Sequence, residues 1–139
     1  MSITKVVLVL RSEIYCMGID MVIQANFKER LVVVGSTHSF KNIGKIFSAV
    51  SPDILIIDQF FLDGDCPEIV SKIKIRFCNI KVIGVSENYN RKTSKILKKS
   101  GACGYFSYSD NRNVMLDLIE RVLNLPSGFE PYVFQEKIP

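Results

Sequence analysis

Short β-branched runs that alternate with amphipathic helical stretches predict a doubly wound α/β fold, with a five-stranded parallel sheet and helices on both faces. The central run Ile54-Leu55-Ile56-Ile57 is continuously apolar, as a strand buried on both faces should be. A chain of 139 residues suits one domain with a single core of ordinary size.

Lys5–Leu10 reads as the first strand. A helix over about Cys16–Phe27 follows, with Met17, Met21, Val22 and Ala25 expected on its inner face. Leu31–Val34 is the second strand, and Gly35-Ser36-Thr37-His38 a polar loop. Ser39 is the candidate N-cap of the next helix, because its hydroxyl can accept from a free first-turn amide. That helix runs to about Val50 and turns Ile43, Ile46, Phe47 and Val50 inward. Ile54–Asp58 is the third strand. Pro67 suits a helix start, and Ile69, Val70, Ile73 and Phe77 form the inner face behind it. Ile80–Val85 is the fourth strand, Arg91–Ser100 a short helix ended by Gly101, and Gly104–Ser107 the fifth strand. Asp110 is expected to begin a last helix packed through Val114, Leu118, Ile119 and Val122. After Leu123 the pattern stops, so residues 1–124 read as the domain and 125–139, with Pro126-Ser127-Gly128, as a linker or tail.

The composition excludes several classes. Charged and apolar contents are those of a globular protein, and the net charge of +4 does not by itself argue for nucleic acid. No apolar stretch reaches membrane-spanning length. The start lacks a small-residue cleavage site and reads as a strand. Cys16, Cys66, Cys78 and Cys103 are scattered, and His38 is the single histidine, so no zinc-type spacing exists. The thiols suit a reduced, cytoplasmic setting, with Cys103, read as a loop residue, the first candidate for redox sensing. No Walker loop, GxGxxG or nucleophile–histidine pair supports another enzyme class.

Asp58 stands out, because it ends a buried strand at the carboxyl edge, where open α/β sheets place their chemistry. Phosphate acceptor, metal ligand and relic are all open for a lone carboxylate there. With Ser86 after Val82-Ile83-Gly84-Val85 and the segment Gly101-Ala102-Cys103-Gly104-Tyr105-Phe106, the chain resembles the receiver domain of bacterial response regulators over about residues 4–124. It is most similar to those of the LuxR/NarL type. The resemblance implies the flavodoxin-like strand order 2-1-3-4-5, Asp58 as the phosphoacceptor position, Ser86 as the hydroxyl residue and Tyr105 as the switch aromatic.

The departures from that pattern bear on function. Leu10 and Arg11 stand where the family has two acids, Tyr108 where it has its lysine, Glu87 where it has a small residue, and Leu62 where it has proline. Phosphoryl transfer in the family uses a magnesium ion held partly by those acids, and magnesium demands oxygen ligands. Glu13 is near in sequence but is expected to point elsewhere. Removing one electrostatic stabiliser typically costs about 3–4 kcal/mol of transition-state energy. Loss of the acidic pair, loss of the lysine and the gain of Glu87 together imply a degenerate receiver with a vestigial acceptor and no cofactor. Arg11 either pairs with Asp58 or reaches solvent; Ser86 either donates into the pocket or caps the strand end.

Arg91, Lys92, Lys95, Lys98 and Lys99 fall within about a third of a helix circumference. They are either a solvated face or a docking surface for a protein partner. The expected function is phosphorylation-independent transcriptional regulation, through a homodimer or through a DNA-binding domain outside this sequence. A phosphorylatable receiver and a ligand- or redox-sensing module are the alternatives.

Overall fold

Residues 54–58 are buried at every position, and that strand sets the centre of the molecule. A computed structural model describes residues 3–61, 67–125 and 133–134. Its strands are β1 (Thr4–Val9), β2 (Leu31–Thr37), β3 (Ile54–Asp58), β4 (Lys81–Ser86), β5 (Gly104–Ser107) and β6 (Val133–Phe134). Between them lie α1 (Glu13–Phe27), α2 (Ile43–Val50), α3 (Pro67–Arg76), α4 (Arg91–Ser100) and α5 (Arg112–Leu123). All pairings are parallel and the order is β2-β1-β3-β4-β5-β6, so the expected 2-1-3-4-5 core is present.

Alternate strand residues feed two cores. On one face Val6, Leu8, Leu10, Ile54 and Ile56 pack against Cys16, Ile19 and Ile23 of α1 and Leu118, Ile119 and Val122 of α5. On the other, Val7, Val9, Leu55 and Ile57 meet Phe47 of α2, Val70 and Ile73 of α3, and Leu97 of α4. β1 lies beside β3 with Val9 opposite Ile57, which brings the residues after β1 next to Asp58. Site geometry follows from that adjacency.

Several expectations are corrected. The inner face of α1 is Cys16, Ile19, Ile23 and Phe27, while Met17 and Met21 are exposed and Val22 is half-buried. This helix carries two apolar stripes, and periodicity alone cannot choose between them. β2 continues through Gly35, Ser36 and Thr37, because the pairing slips by one residue between Val6 and Val7 and then resumes. Ser39 does not cap α2: a 3-10 turn over Phe40–Asn42 intervenes, and Asn42 occupies the N-cap without a side-chain bond. Asn111 caps α5 at Asn113 N–H; Asp110 instead accepts from Ser107 N–H, and Met115 replaces Val114 among the buried residues. Cys103 is 1% exposed, so it is no accessible redox thiol; Cys78 is the exposed cysteine among those described. Val133–Phe134 pairs with Gly104–Tyr105 as a parallel sixth strand, inside the segment read as a linker. Leu62, Cys66 and Pro126-Ser127-Gly128 lie outside the described residues. No described helix is long and apolar enough to cross a membrane.

Candidate functional site

At the carboxyl edge, Asp58 is fully buried and both its oxygens are occupied. The Arg11 guanidinium binds it through two parallel bonds, Nε to Oδ2 at 3.0 Å and Nη2 to Oδ1 at 2.9 Å. Arg11 N–H also donates to Oδ2 (3.3 Å), Phe60 N–H to Oδ1 (2.9 Å), and the Tyr108 hydroxyl to Oδ2 (3.2 Å). This fork geometry suits a carboxylate well, and charge-assisted bonds are the strong ones. The Asp58 bond holds the Arg11 proton far above the ordinary arginine range. Burial, then the Asp58 charge, raises the Tyr108 phenol well beyond its usual range, so it stays a donor.

Local structure explains why Arg11 is placed there. Ser12 is the N-cap of α1, accepting from Tyr15 N–H, so the chain turns sharply just after β1. Tyr15, one turn into α1, stacks on Tyr108 with ring centroids 4.5 Å apart and 20° between planes. Glu87 closes the outer side, 3.2 Å from Arg11 Nη1 and accepting from the Tyr15 hydroxyl. Sequence reasoning missed Tyr15 and the Phe60 amide. The spacing of Arg11 and Tyr15 by four residues was the available signal.

Leu10 points into the α1–α5 core and is fully buried. Glu13 is exposed in the first turn of α1 and borders a hollow with Cys16, Thr37 and His38, away from Asp58. Ser86 and Tyr105 form a second network. Ser86 Oγ donates to Asn88 O at 2.7 Å, so the bond between Ser86 and Tyr105 runs from the phenol to the serine. Asn90 N–H donates to the same phenol oxygen at 3.1 Å. Tyr105 is 3% exposed, and burial raises its phenol. Ser86 therefore satisfies both its donor and its acceptor at the loop after β4.

A magnesium ion does not fit these residues. Its sites require free oxygen ligands, whereas both Asp58 oxygens are engaged and a guanidinium occupies the space beside them. Among the described residues no group of three His, Cys, Asp or Glu is placed to hold a metal ion. A hollow of about 350 Å³ lies outside the pair, bordered by Arg11, Gln59, Phe60, Glu87, Tyr89 and Asn90. The basic residues sit elsewhere: Arg91, Lys92, Lys95 and Lys99 are exposed on α4, and Lys98 is half-buried.

No protein-family model and no curated protein matches the sequence. Solved structures match along most of the chain. A two-component response regulator of the LuxR family from Aurantimonas sp. SI85-9A1 superposes with a TM-score of 0.78 at 18% identity, covering 94% of this chain and 91% of that one. This is the response-regulator receiver fold. The isolated REC domain of RcsB from Salmonella enterica serovar Typhimurium gives 0.78 at 17% identity, with 94% of each chain covered. HP1043, an orphan response regulator of H. pylori, gives 0.71 at 19% identity over 87% of this chain and 97% of its own.

Proposed function

We propose that this chain is a receiver-type regulatory domain whose state is not set by phosphorylation. The observation that carries the reading is the bidentate Arg11–Asp58 pair. Attack on a phosphoryl donor requires an unengaged carboxylate oxygen and a cation that can spread the charge developing on the phosphoryl group. Here the lone pairs of Asp58 already serve Arg11, Phe60 and Tyr108. Ser86 and Tyr105 complete their hydrogen bonds with each other and with the loop Asn88–Asn90. Tyr105 is thus held inward. Regulation of transcription, through pairing of copies or an attached DNA-binding domain, follows from the resemblance to LuxR-type regulators. α4 would serve as a docking face for a protein partner.

Incubation with acetyl phosphate and Mg²⁺, followed by intact-mass measurement, tests the reading. No phosphate adduct is expected on the wild-type chain, whereas Arg11→Asp with Tyr108→Lys, which restores an acid and a lysine, should acquire one. A wild-type adduct that disappears in Asp58→Ala would overturn it.

A further inference from the structure

Charge is divided unevenly between the two helical layers. α2, α3 and α4 lie on one face of the sheet and together carry nine basic residues and one acid, Glu68. α1 and α5, on the other face, carry four acids and two bases. We infer that the α3–α4 surface binds double-stranded DNA through its phosphate backbone, without reading base sequence. The inference goes beyond the regulatory reading: beside the protein docking given to α4, it assigns α3 and α4 jointly a polyanionic partner.

Availability of the cations is the first ground. Lys72 and Arg76 on α3, and Arg91, Lys92, Lys95 and Lys99 on α4, are all exposed. Among the described residues none of these six forms a salt bridge, whereas on the opposite side Arg30 and Arg121 pair with Glu120 and Asp117. Placement at the start of α4 also runs against helix stability. Asn90 caps the helix, and its first turn then holds Arg91 and Lys92 with no acid. The positive end of a helix dipole favours acids, so two cations there add to the pull on an external anion.

Spacing is the second ground. Helix residues four apart lie about 6 Å apart along the axis, so Lys72 and Arg76 form one row and Arg91, Lys95 and Lys99 another. α3 and α4 pack side by side, and packed helix axes lie about 8–10 Å apart. That separation falls between the widths of the minor and major grooves of B-DNA, about 6 and 12 Å. Long, flexible side chains from the two rows therefore reach phosphates on both sides of one groove.

Side-chain chemistry selects the duplex over other polyanions. Neither α3 nor α4 carries an aromatic residue on which unpaired bases could stack. Among the described residues Ile75 is the one large apolar side chain exposed on α2, α3 or α4, which falls short of the apolar face that a membrane-bound helix inserts. Lys72, Lys92, Lys95 and Lys99 are point charges suited to phosphate, whereas base reading relies on bidentate partners.

Fluorescence anisotropy of a labelled DNA duplex titrated with the 139-residue chain, at a series of salt concentrations, tests the inference. Affinity should fall about a thousandfold between about 50 and about 200 mM salt, the response of about six phosphate contacts. A second duplex of unrelated sequence should bind equally. Lys72→Glu with Lys95→Glu should lower the slope of log affinity against log salt by about two, with circular dichroism and melting temperature unchanged. Lys28→Glu with Arg112→Glu, which makes the same charge change at exposed positions on the opposite layer, should bind as the wild type does. No binding at low salt overturns the inference, as does a marked preference for one duplex. Equal losses in the two variants would assign binding to net charge and overturn it too. So would tighter binding to phosphatidylserine vesicles than to duplex, which would make the surface a membrane contact. No phosphodonor is present, so this outcome is independent of whether Asp58 accepts phosphate.

Discussion

A carboxylate removed from water needs a countercharge, and Asp58 takes it from the residue two positions after β1. Breaking a buried pair by deleting one partner strands the other charge, which typically destabilises by about 3–5 kcal/mol. The Arg11 side chain is 29% exposed and Asp58 keeps bonds from Phe60 and Tyr108, so Arg11→Ala should cost less, about 2 kcal/mol. Urea unfolding would measure this. Arg11→Ala with Asp58→Ala should lose less than the two singles combined, because neither charge is then orphaned. Tyr108 supplies a pH dependence. Its phenol is raised in the folded chain by burial and by Asp58. The protonated form is therefore favoured on folding, so its stabilisation is complete below about pH 10, the value of an exposed phenol, and fades as pH rises beyond it. Tyr108→Phe should lose about 1 kcal/mol at neutral pH, the worth of one hydrogen bond, and flatten the alkaline decline in the urea midpoint. Tyr105, also raised, leaves a residual slope. An unchanged alkaline slope in Tyr108→Phe would assign the decline to other groups.

At the level of elements, α4 depends on a close approach to β4. A Cβ at Gly84 would sit 2.5 Å from Leu97 Cδ1, and Leu97 is 1% exposed. Overpacking of this kind costs about 1–3 kcal/mol. Gly84→Ala should lower the urea midpoint accordingly, and Leu97→Val in the same chain should recover part of the loss. Gly101, at φ 97°, supplies the left-handed turn that ends α4, as its position after Ser100 indicated. Other boundaries were less legible. The slip that lengthens β2 is a property of its pairing with β1, which no local composition encodes. The 3-10 turn before α2 displaced the cap from Ser39 to Asn42. In α1 both stripes satisfy helical periodicity, and only the sheet beneath decides which is buried.

For the molecule as a whole, strand alternation and apolar runs made the parallel α/β class readable, whereas the strand order 2-1-3-4-5 came from the resemblance to receiver domains. Asp58 was legible because it closes a buried strand, while Ser86 and Tyr105 were singled out through the resemblance. The networks around them were not. The Asp58 cluster gathers residues from β3, from the turns after β1 and β4, and from the loop after β5. Sequence separation hides such contacts until the strand order is known. Tyr15, placed by the rotation of α1, is the clearest case.

Asp58 is neutralised from within the chain, by Arg11. A divalent ion exchanges with bulk solution, so its occupancy follows the surrounding concentration. Arg11 is covalently part of the chain, and its effective molarity beside Asp58 is fixed by folding itself. Chelators and shifts in salt composition leave that carboxylate neutralised for as long as the polypeptide stays folded.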